Sequence, residues 1–141
     1  MAWRPAKSLV RLRDQINQAA PNRSKANDGT IGDAAHAARK SDHNPWVKDD
    51  DIGVVTAIDI THDPDDGCDA EQIVQALVRS RDARIKYVIW NRHIISSQVQ
   101  PWVRRDYSGQ NPHTKHFHLS VKPDKDSYDS TDTWQIGARH P

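Results

Sequence analysis

The chain has 141 residues and carries 20 Lys and Arg against 19 Asp and Glu, a formal net charge of +1 at pH 7. This balance speaks against a strongly basic surface, so we expect neither nucleic acid nor a membrane as a partner. Apolar residues make up only 35% of the chain and the mean hydropathy is −0.87, which indicates one compact domain, residues 1–141, with a very polar surface.

The first residues show no targeting segment. Met1–Pro5 leads into a mixed charged stretch without the apolar run of a signal peptide, and no segment has the length of a transmembrane helix. We therefore expect the chain to be cytoplasmic as synthesised. We also expect a monomer. The single cysteine, Cys68, excludes a disulfide within the monomer and a zinc site built from cysteines.

The first predicted element is a helix over residues 6–20. Apolar residues recur there at spacings of three and four, with Ser8 as a candidate N-cap and Pro21 ending the run. Residues 21–53 are rich in Asn, Asp, Gly, Ser and Lys, which predicts a long loop with a short helix around Asp33–Ala38.

The middle of the chain alternates strand and helix patterns. Val54–Ile60 is β-branched and apolar on both faces, which predicts a buried strand. Asp69–Arg79 has one apolar face and begins with an aspartate suited to an N-cap, which predicts a helix. Ile85–Trp90 and His93–Ser97 flank Asn91-Arg92, a connection of two residues that predicts a hairpin.

The last third is more irregular. Residues 98–112 are predicted as loop, Phe117–Val121 as a short strand, and residues 122–141 as a polar tail anchored by Trp134 and Ile136. Strands interrupted by helices, with a hairpin near the end, favour an α+β fold: an antiparallel sheet with helices packed to one side.

Histidines are concentrated just before and within the last predicted strand. In His113-Thr114-Lys115-His116-Phe117-His118 the alternation of a strand places His116 and His118 on one face. Two imidazoles on one face can supply a metal ligand and a catalytic partner, although a polar His-rich loop would give the same pattern.

A further histidine and a carboxylate lie on other segments. His43 follows Ser41 and Asp42 in the polar loop, and Asp59 stands near the end of the apolar strand. A carboxylate there needs compensation by a metal or by hydrogen bonds, unless Asp59 simply ends the strand. Two imidazoles and one carboxylate from three segments form the ligand set of catalytic zinc sites, which suits an amide hydrolase without a Ser or Cys nucleophile.

These motifs in this order resemble a known family. Ser-x-His at Ser41–His43, the segment Gly53–Asp59 ending in Ala-x-Asp, and His-x-His at His116–His118 are similar to the zinc D-Ala-D-Ala peptidases. The wider group includes the hedgehog signalling domain and murein endopeptidases of the LAS type. The resemblance covers roughly residues 23–121.

The resemblance implies a fold, a metal and an activity. The fold would be hedgehog/DD-peptidase-like, with a Zn²⁺ ion held by His43, Asp59 and His118 on an antiparallel sheet. The activity would be hydrolysis of bacterial peptidoglycan stem peptides, as a carboxypeptidase or an endopeptidase. A phage endolysin-type member would reach the cell wall by phage-type release.

The resemblance also implies substrate-binding and catalytic residues. Asn22-Arg23-Ser24 is similar to a family segment whose arginine binds substrate, with Arg39 as a rival for that role and Ser41 as a further substrate contact. His113 and His116 complete a His-x-x-His-x-His pattern, similar to the murein endopeptidases, which implies that both are catalytic.

Two departures from the family pattern stand out. Lys115 occupies the position where many members have an acidic general base. Asp59 is also further from His43 than is usual in the family, and Asp50 stands at the usual offset. We prefer Asp59 because of its strand context, so residues 44–52 are interpreted as an insertion near the site.

Two alternatives stay open on the sequence alone. One is a non-catalytic, zinc-supported binding domain, as hedgehog-like domains can be. The other is a metal-dependent nuclease, suggested by Asp42-His43-Asn44 and the clustered histidines, although the balanced charge speaks against it.

Overall fold

The computed structural model describes residues 3–29, 42–45, 47–109 and 113–137. Within these ranges a single turn of 3₁₀ helix, Pro64–Asp66, accompanies the regular helices and strands. In chain order these are β1 Trp3–Pro5, α1 Lys7–Ala19, β2 Val47–Asp49, β3 Ile52–Val55, β4 Ala57–Thr61, α2 Ala70–Ser80, β5 Ile85–Trp90, β6 His93–Ser96, β7 Arg105–Asp106, β8 His116–Val121 and α3 Lys125–Tyr128.

The strands form two sheets. The larger has five strands in the order β4-β8-β5-β6-β7, and all its pairings are antiparallel. The smaller has the order β1-β3-β2, with β1 parallel and β2 antiparallel to β3. The predicted α+β class is confirmed, and the predicted antiparallel sheet is joined by a small mixed one.

One hydrophobic cluster joins α1 and α2 to a single face of the larger sheet. Its members alternate along β8 with polar side chains, so they leave the other face of this strand to His116, His118 and Ser120. The members from α1, α2 and β8 include Leu9, Leu12, Ile16, Ile73, Val74, Leu77, Phe117, Leu119 and Val121.

Helix α1 confirms the predicted amphipathic segment but not its cap. The structure gives Ala6 as the N-cap, without a side-chain hydrogen bond, and places Ser8 inside the helix with its hydroxyl buried and unpartnered. The Ser8 prediction was wrong because β1 runs directly into α1. The backbone N–H of Ala6 is held by the carbonyl of Val55, 2.9 Å away, which sets where the helix begins.

The predicted strand over Val54–Ile60 is two strands in two sheets. The break falls at Thr56, whose N–H donates to the carbonyl of Asp42 at 3.2 Å and whose carbonyl accepts from the N–H of Val121 at 2.9 Å. A single uninterrupted strand was therefore a wrong prediction. The chain leaves the small sheet with β3 and enters the large one with β4.

The predicted second helix and the hairpin are confirmed. The Asp69 carboxylate caps α2 by accepting from the N–H groups of Glu71 and Gln72. Asn91 and Arg92 connect β5 and β6, both with positive φ, 48° and 67°. These angles match the two-residue turn whose twist suits a hairpin.

The irregular segments contain more structure than expected. The segment 98–112 includes β7, and the tail includes α3, with Trp134 and Ile136 both buried as predicted. Residues 33–38, predicted as a short helix, lie outside the described residues. Across the described ranges, no helix is both long enough and apolar enough to cross a membrane.

Candidate metal centre

Three side chains from separate segments converge on the polar face of the larger sheet. Nε2 of His43, Oδ1 of Asp59 and Nδ1 of His118 form a triangle in which each pair of atoms is 3.2 Å apart. Both histidines are buried, and Asp59 is only partly exposed. The structure thus brings together the three residues expected to be zinc ligands.

Strand pairing accounts for two corners of the triangle. Asp59 on β4 stands directly opposite His118 on β8 in the antiparallel register. Opposed residues in such a pair point to the same face with their Cβ atoms close together. A shift of one residue would move one of the two side chains into the apolar core.

The third corner depends on a close approach between the His43 segment and β3. The N–H of Thr56 binds the carbonyl of Asp42, and Pro45 packs on Gly53 so closely that a Cβ there would lie 2.6 Å from the Pro45 carbonyl oxygen. Only glycine permits this approach. Gly53 therefore helps to hold His43 over the sheet.

The triangle fits a tetrahedral metal ion. Ligand atoms at about 2.0–2.1 Å from zinc in tetrahedral geometry stand about 3.3–3.4 Å from one another, close to the spacing found here. Two imidazole nitrogens and one carboxylate oxygen are also a donor set that suits zinc. These three residues can hold a metal ion with little movement.

The orientation of His118 is set by its neighbours. Its Nε2 lies 2.8 Å from the hydroxyl of Ser120, and the ring of Tyr87 stacks on the imidazole at 5.3 Å with an interplanar angle of 8°. When Nε2–H donates to Ser120, Nδ1 carries no proton and faces the triangle. A partner of this kind fixes the ring and its tautomer for metal binding.

A bulge in β5 brings two more side chains to this region. The β5–β8 register shifts between Ile85 and Tyr87, so Lys86 is the extra residue, and its Nζ binds the Asp42 carboxylate at 3.0 Å. Burial raises the pKa of Tyr87 to about 12, so its hydroxyl keeps its proton. We identified none of these supporting contacts from the sequence.

Ser120→Ala is expected to weaken zinc binding by about 10–100-fold, because it removes the hydroxyl that orients His118. A competition titration with a chromophoric chelator would measure this, with Ser127→Ala on α3 as a matched control. An unchanged zinc affinity would show that the Tyr87 stack alone orients the ring.

Asp59 is prepared to act as an anionic ligand. Burial by itself would raise the pKa of this carboxyl, but hydrogen bonds with His118 and His43 outweigh burial and hold the pKa well below its usual range. The carboxylate is therefore charged throughout the neutral range. Its charge offsets part of the cost of placing a cation at a largely buried site.

The two predicted catalytic histidines lie beside the triangle. Nε2 of His116 is 3.6 Å from Oδ2 of Asp59, and the ring centroid of His113 is 4.8 Å from that of His116. Burial lowers the pKa of His116, against the attraction of Asp59, so its ring is neutral near pH 7 and can accept a proton.

Neither Lys115 nor Asp50 belongs to the triangle. Lys115 is exposed, and Asp50 lies in the turn between β2 and β3 with a φ of 55°. Residues 44–52, interpreted as an insertion, thus contain β2.

Of the three residues predicted to bind substrate, only Arg23 lies within the described residues. Its side chain is fully buried and makes a two-point ion pair with Asp28, at 3.0 and 2.6 Å. Asp28 also accepts from the N–H and hydroxyl of Thr61, while the next residue, Gly29, pairs with the backbone of Asp59. Arg23 thus braces the strand that carries Asp59. Arg39 and Ser41 lie outside the described residues.

Asp28→Asn is expected to destabilise the protein by about 3–5 kcal/mol at neutral pH, because Arg23 would remain buried without its anion. Burial raises the pKa of Asp28, but hydrogen bonds from Arg23 and Thr61 lower it further, below its usual value. The stabilisation is therefore complete above about pH 4 and is lost as the pH falls through the lowered folded value. Urea unfolding of the wild type and of Asp28→Asn should show that the difference between their free energies of unfolding shrinks as the pH falls from 7 to 3. A constant difference would contradict this.

Fold and cluster together define the class of this protein: an α+β chain with a His/Asp centre able to hold a metal ion. No family model matches the chain, and comparisons with curated proteins and with solved structures give no match either. The likeness to the zinc D-Ala-D-Ala peptidases accordingly rests on the motifs and on the residues of the triangle.

Proposed function

We propose that this chain is a zinc-dependent peptidase acting on bacterial peptidoglycan stem peptides, with a hedgehog/DD-peptidase-like fold. The observation that carries the proposal is the triangle of His43, Asp59 and His118, whose three ligand atoms are 3.2 Å apart. The substrate class comes from the motif resemblance, whereas the metal centre is argued from these contacts.

A zinc ion in this centre would supply a Lewis acid that polarises a carbonyl group and activates water. The chain's own residues then have separate tasks. Asp59 contributes the negative charge, and Ser120 and Tyr87 hold His118 in its binding orientation. Asp59 is partly exposed, which leaves this part of the centre open to a substrate.

Proton transfer is assigned to His113 and His116. The His116 ring is neutral near pH 7, and its Nε2 lies 3.6 Å from Oδ2 of Asp59, so we assign it to take a proton from the nucleophile and later release it to the leaving amine. His113 packs edge-on against His116 and His118, and we assign it the role of donating a hydrogen bond to the developing oxyanion. Lys115, being exposed, takes no part in this scheme.

The test is digestion of purified peptidoglycan, with released fragments identified by mass spectrometry. Protein stripped with a chelator should release nothing, and addition of Zn²⁺ should restore release, with fragment masses naming the bond that is cut. Bound zinc without products from any wall type would favour the binding-domain alternative. Nicking of plasmid DNA in Mg²⁺ would favour the nuclease.

Release to the cell wall completes the proposal. A protein cytoplasmic as synthesised would need phage-type release to act on an intact wall, and would otherwise trim wall peptides that return to the cell. Lysis assays with protein added from outside and protein expressed inside a bacterial cell would separate these two settings.

A further inference from the structure

A second set of ligand atoms lies against the first. One atom from each of Asp59, His113 and His116 can be chosen so that all lie within 4.8 Å of one another. His113 is buried and the other two are partly exposed, and all three face the same region as the triangle. The zinc centre uses one member of this set, Asp59, and neither of the two imidazoles.

The two oxygens of the Asp59 carboxylate face different sets of ligand atoms. Its Oδ1 is 3.2 Å from the ring nitrogens of His43 and His118, whereas its Oδ2 faces Nε2 of His116 at 3.6 Å. A carboxylate that offers one oxygen to each side is the arrangement that bridges two ions. Hydrolytic centres with two metals hold them about 3.5–4 Å apart, a spacing that such a bridge spans.

The environment of His116 points to a ligand. Both of its ring nitrogens are buried, and neither has a hydrogen-bond partner among the described residues. A buried polar atom without a partner costs about 1–3 kcal/mol, so an imidazole with two of them calls for an explanation. A cation bound at Nε2 would satisfy the nitrogen that faces Asp59.

We propose that His113, His116 and Oδ2 of Asp59 form a second divalent-cation site, with Asp59 bridging it to the zinc centre. The site fills after the first, because Nε2 of His116 is 3.6 Å from Oδ2 of Asp59, whereas the atoms of the triangle are 3.2 Å apart and already have ligand spacing. The positive charge of the first ion opposes the second as well.

Occupation of the second site has a consequence that rests on the proposed function. An imidazole whose nitrogen binds a cation cannot hold a proton at that atom. With His113 and His116 both bound, proton transfer to and from substrate stops, so excess metal inhibits hydrolysis. The site would thus limit activity to conditions in which free zinc is scarce.

The experiment is equilibrium dialysis of the full chain against a series of Zn²⁺ concentrations, with ions per chain measured by elemental analysis. The wild type should bind in two steps and reach two ions. His116→Gln and His113→Gln should each keep the first step and lose the second. His93→Gln, on the β5–β6 hairpin, serves as the histidine control and should match the wild type. Circular dichroism identifies any variant that fails to fold.

The two proposals fail in different ways. A wild type that saturates at one ion, or a His116→Gln variant that still takes two, overturns the second site whatever the wall assay shows. Two ions bound in the expected pattern, with no fragment released from peptidoglycan at any zinc concentration, would refute the peptidase proposal and leave the second site standing.

Discussion

Asp59→Asn is expected to lower the zinc affinity of the protein by at least about 100-fold and to abolish release of wall fragments. Loss of a residue that merely orients a ligand costs about 10–100-fold, and here the anionic ligand itself is lost. The amide has nearly the same shape, but it carries no charge to offset a dication at a site this buried. Metal content after dialysis against dilute zinc would measure the change.

The variant is informative because Asp59 is shared between the two proposed sites. Its loss should remove the second ion as well as the first, whereas His116→Gln should remove only the second. Asp106→Asn, an exposed carboxylate on β7, is the matched control and should bind zinc like the wild type. Wild-type zinc content in Asp59→Asn would contradict the proposed centre, provided that circular dichroism shows a folded protein.

Asp59, His116 and His118 could be predicted because each interrupts or alternates with an apolar pattern, whereas His43 was singled out by its Ser-x-His motif. Asp59 is a charged residue in an apolar β-branched run, and His116 and His118 alternate with the apolar residues of β8. Alternation fixes the face of a strand without any knowledge of its partner. What the sequence alone does not contain is the register that places Asp59 across from His118, because pairing across the sheet depends on the whole fold.

The supporting side chains were missed for the same reason. In the sequence, nothing distinguishes Lys86 and Tyr87 from the other residues of a predicted apolar strand. Ser120 is a small residue in a second predicted strand. Lys86 and Tyr87 reach Asp42 and His118 because β5 bulges where it pairs with β8. Ser120 reaches His118 because it lies two residues further along the same face of β8. A bulge of this kind leaves no local signal in a sequence.

The local sequence also could not predict that the chain passes from one sheet to the other at Thr56. Val54–Ile60 is uniformly favourable for a strand, so propensity gives no place for a break. The break is made by distant partners, the carbonyl of Asp42 and the N–H of Val121, which take the backbone groups of Thr56. The strands β1, β2 and β7 have only two or three residues each, too few for a period to be recognised.

Trp134→Ala is expected to destabilise the protein by about 3–5 kcal/mol, the usual cost of deleting a buried aromatic side chain. The ring is 1% exposed, its Nε1–H donates to the carbonyl of Ser8 at 2.8 Å, and the guanidinium of Arg84 stacks on it at 3.6 Å. Deletion leaves a cavity beside α1 and removes the face on which a buried arginine rests. The urea midpoint should fall by roughly 1–3 M at an unchanged slope.

Matched tryptophan variants separate the contributions of the ring. Trp134→Phe keeps an aromatic face for Arg84 but loses the hydrogen bond to Ser8. Its free energy of unfolding should therefore lie between those of the wild type and Trp134→Ala. Trp3→Ala removes a side chain that is 43% exposed and should change stability by no more than about 0.5 kcal/mol. Because the Trp134 ring packs on the helical side of the sheet and His118 faces the other side, folded Trp134→Ala should still bind zinc at the wild-type level. Loss of zinc from the folded variant would mean that the tail supports the metal centre directly.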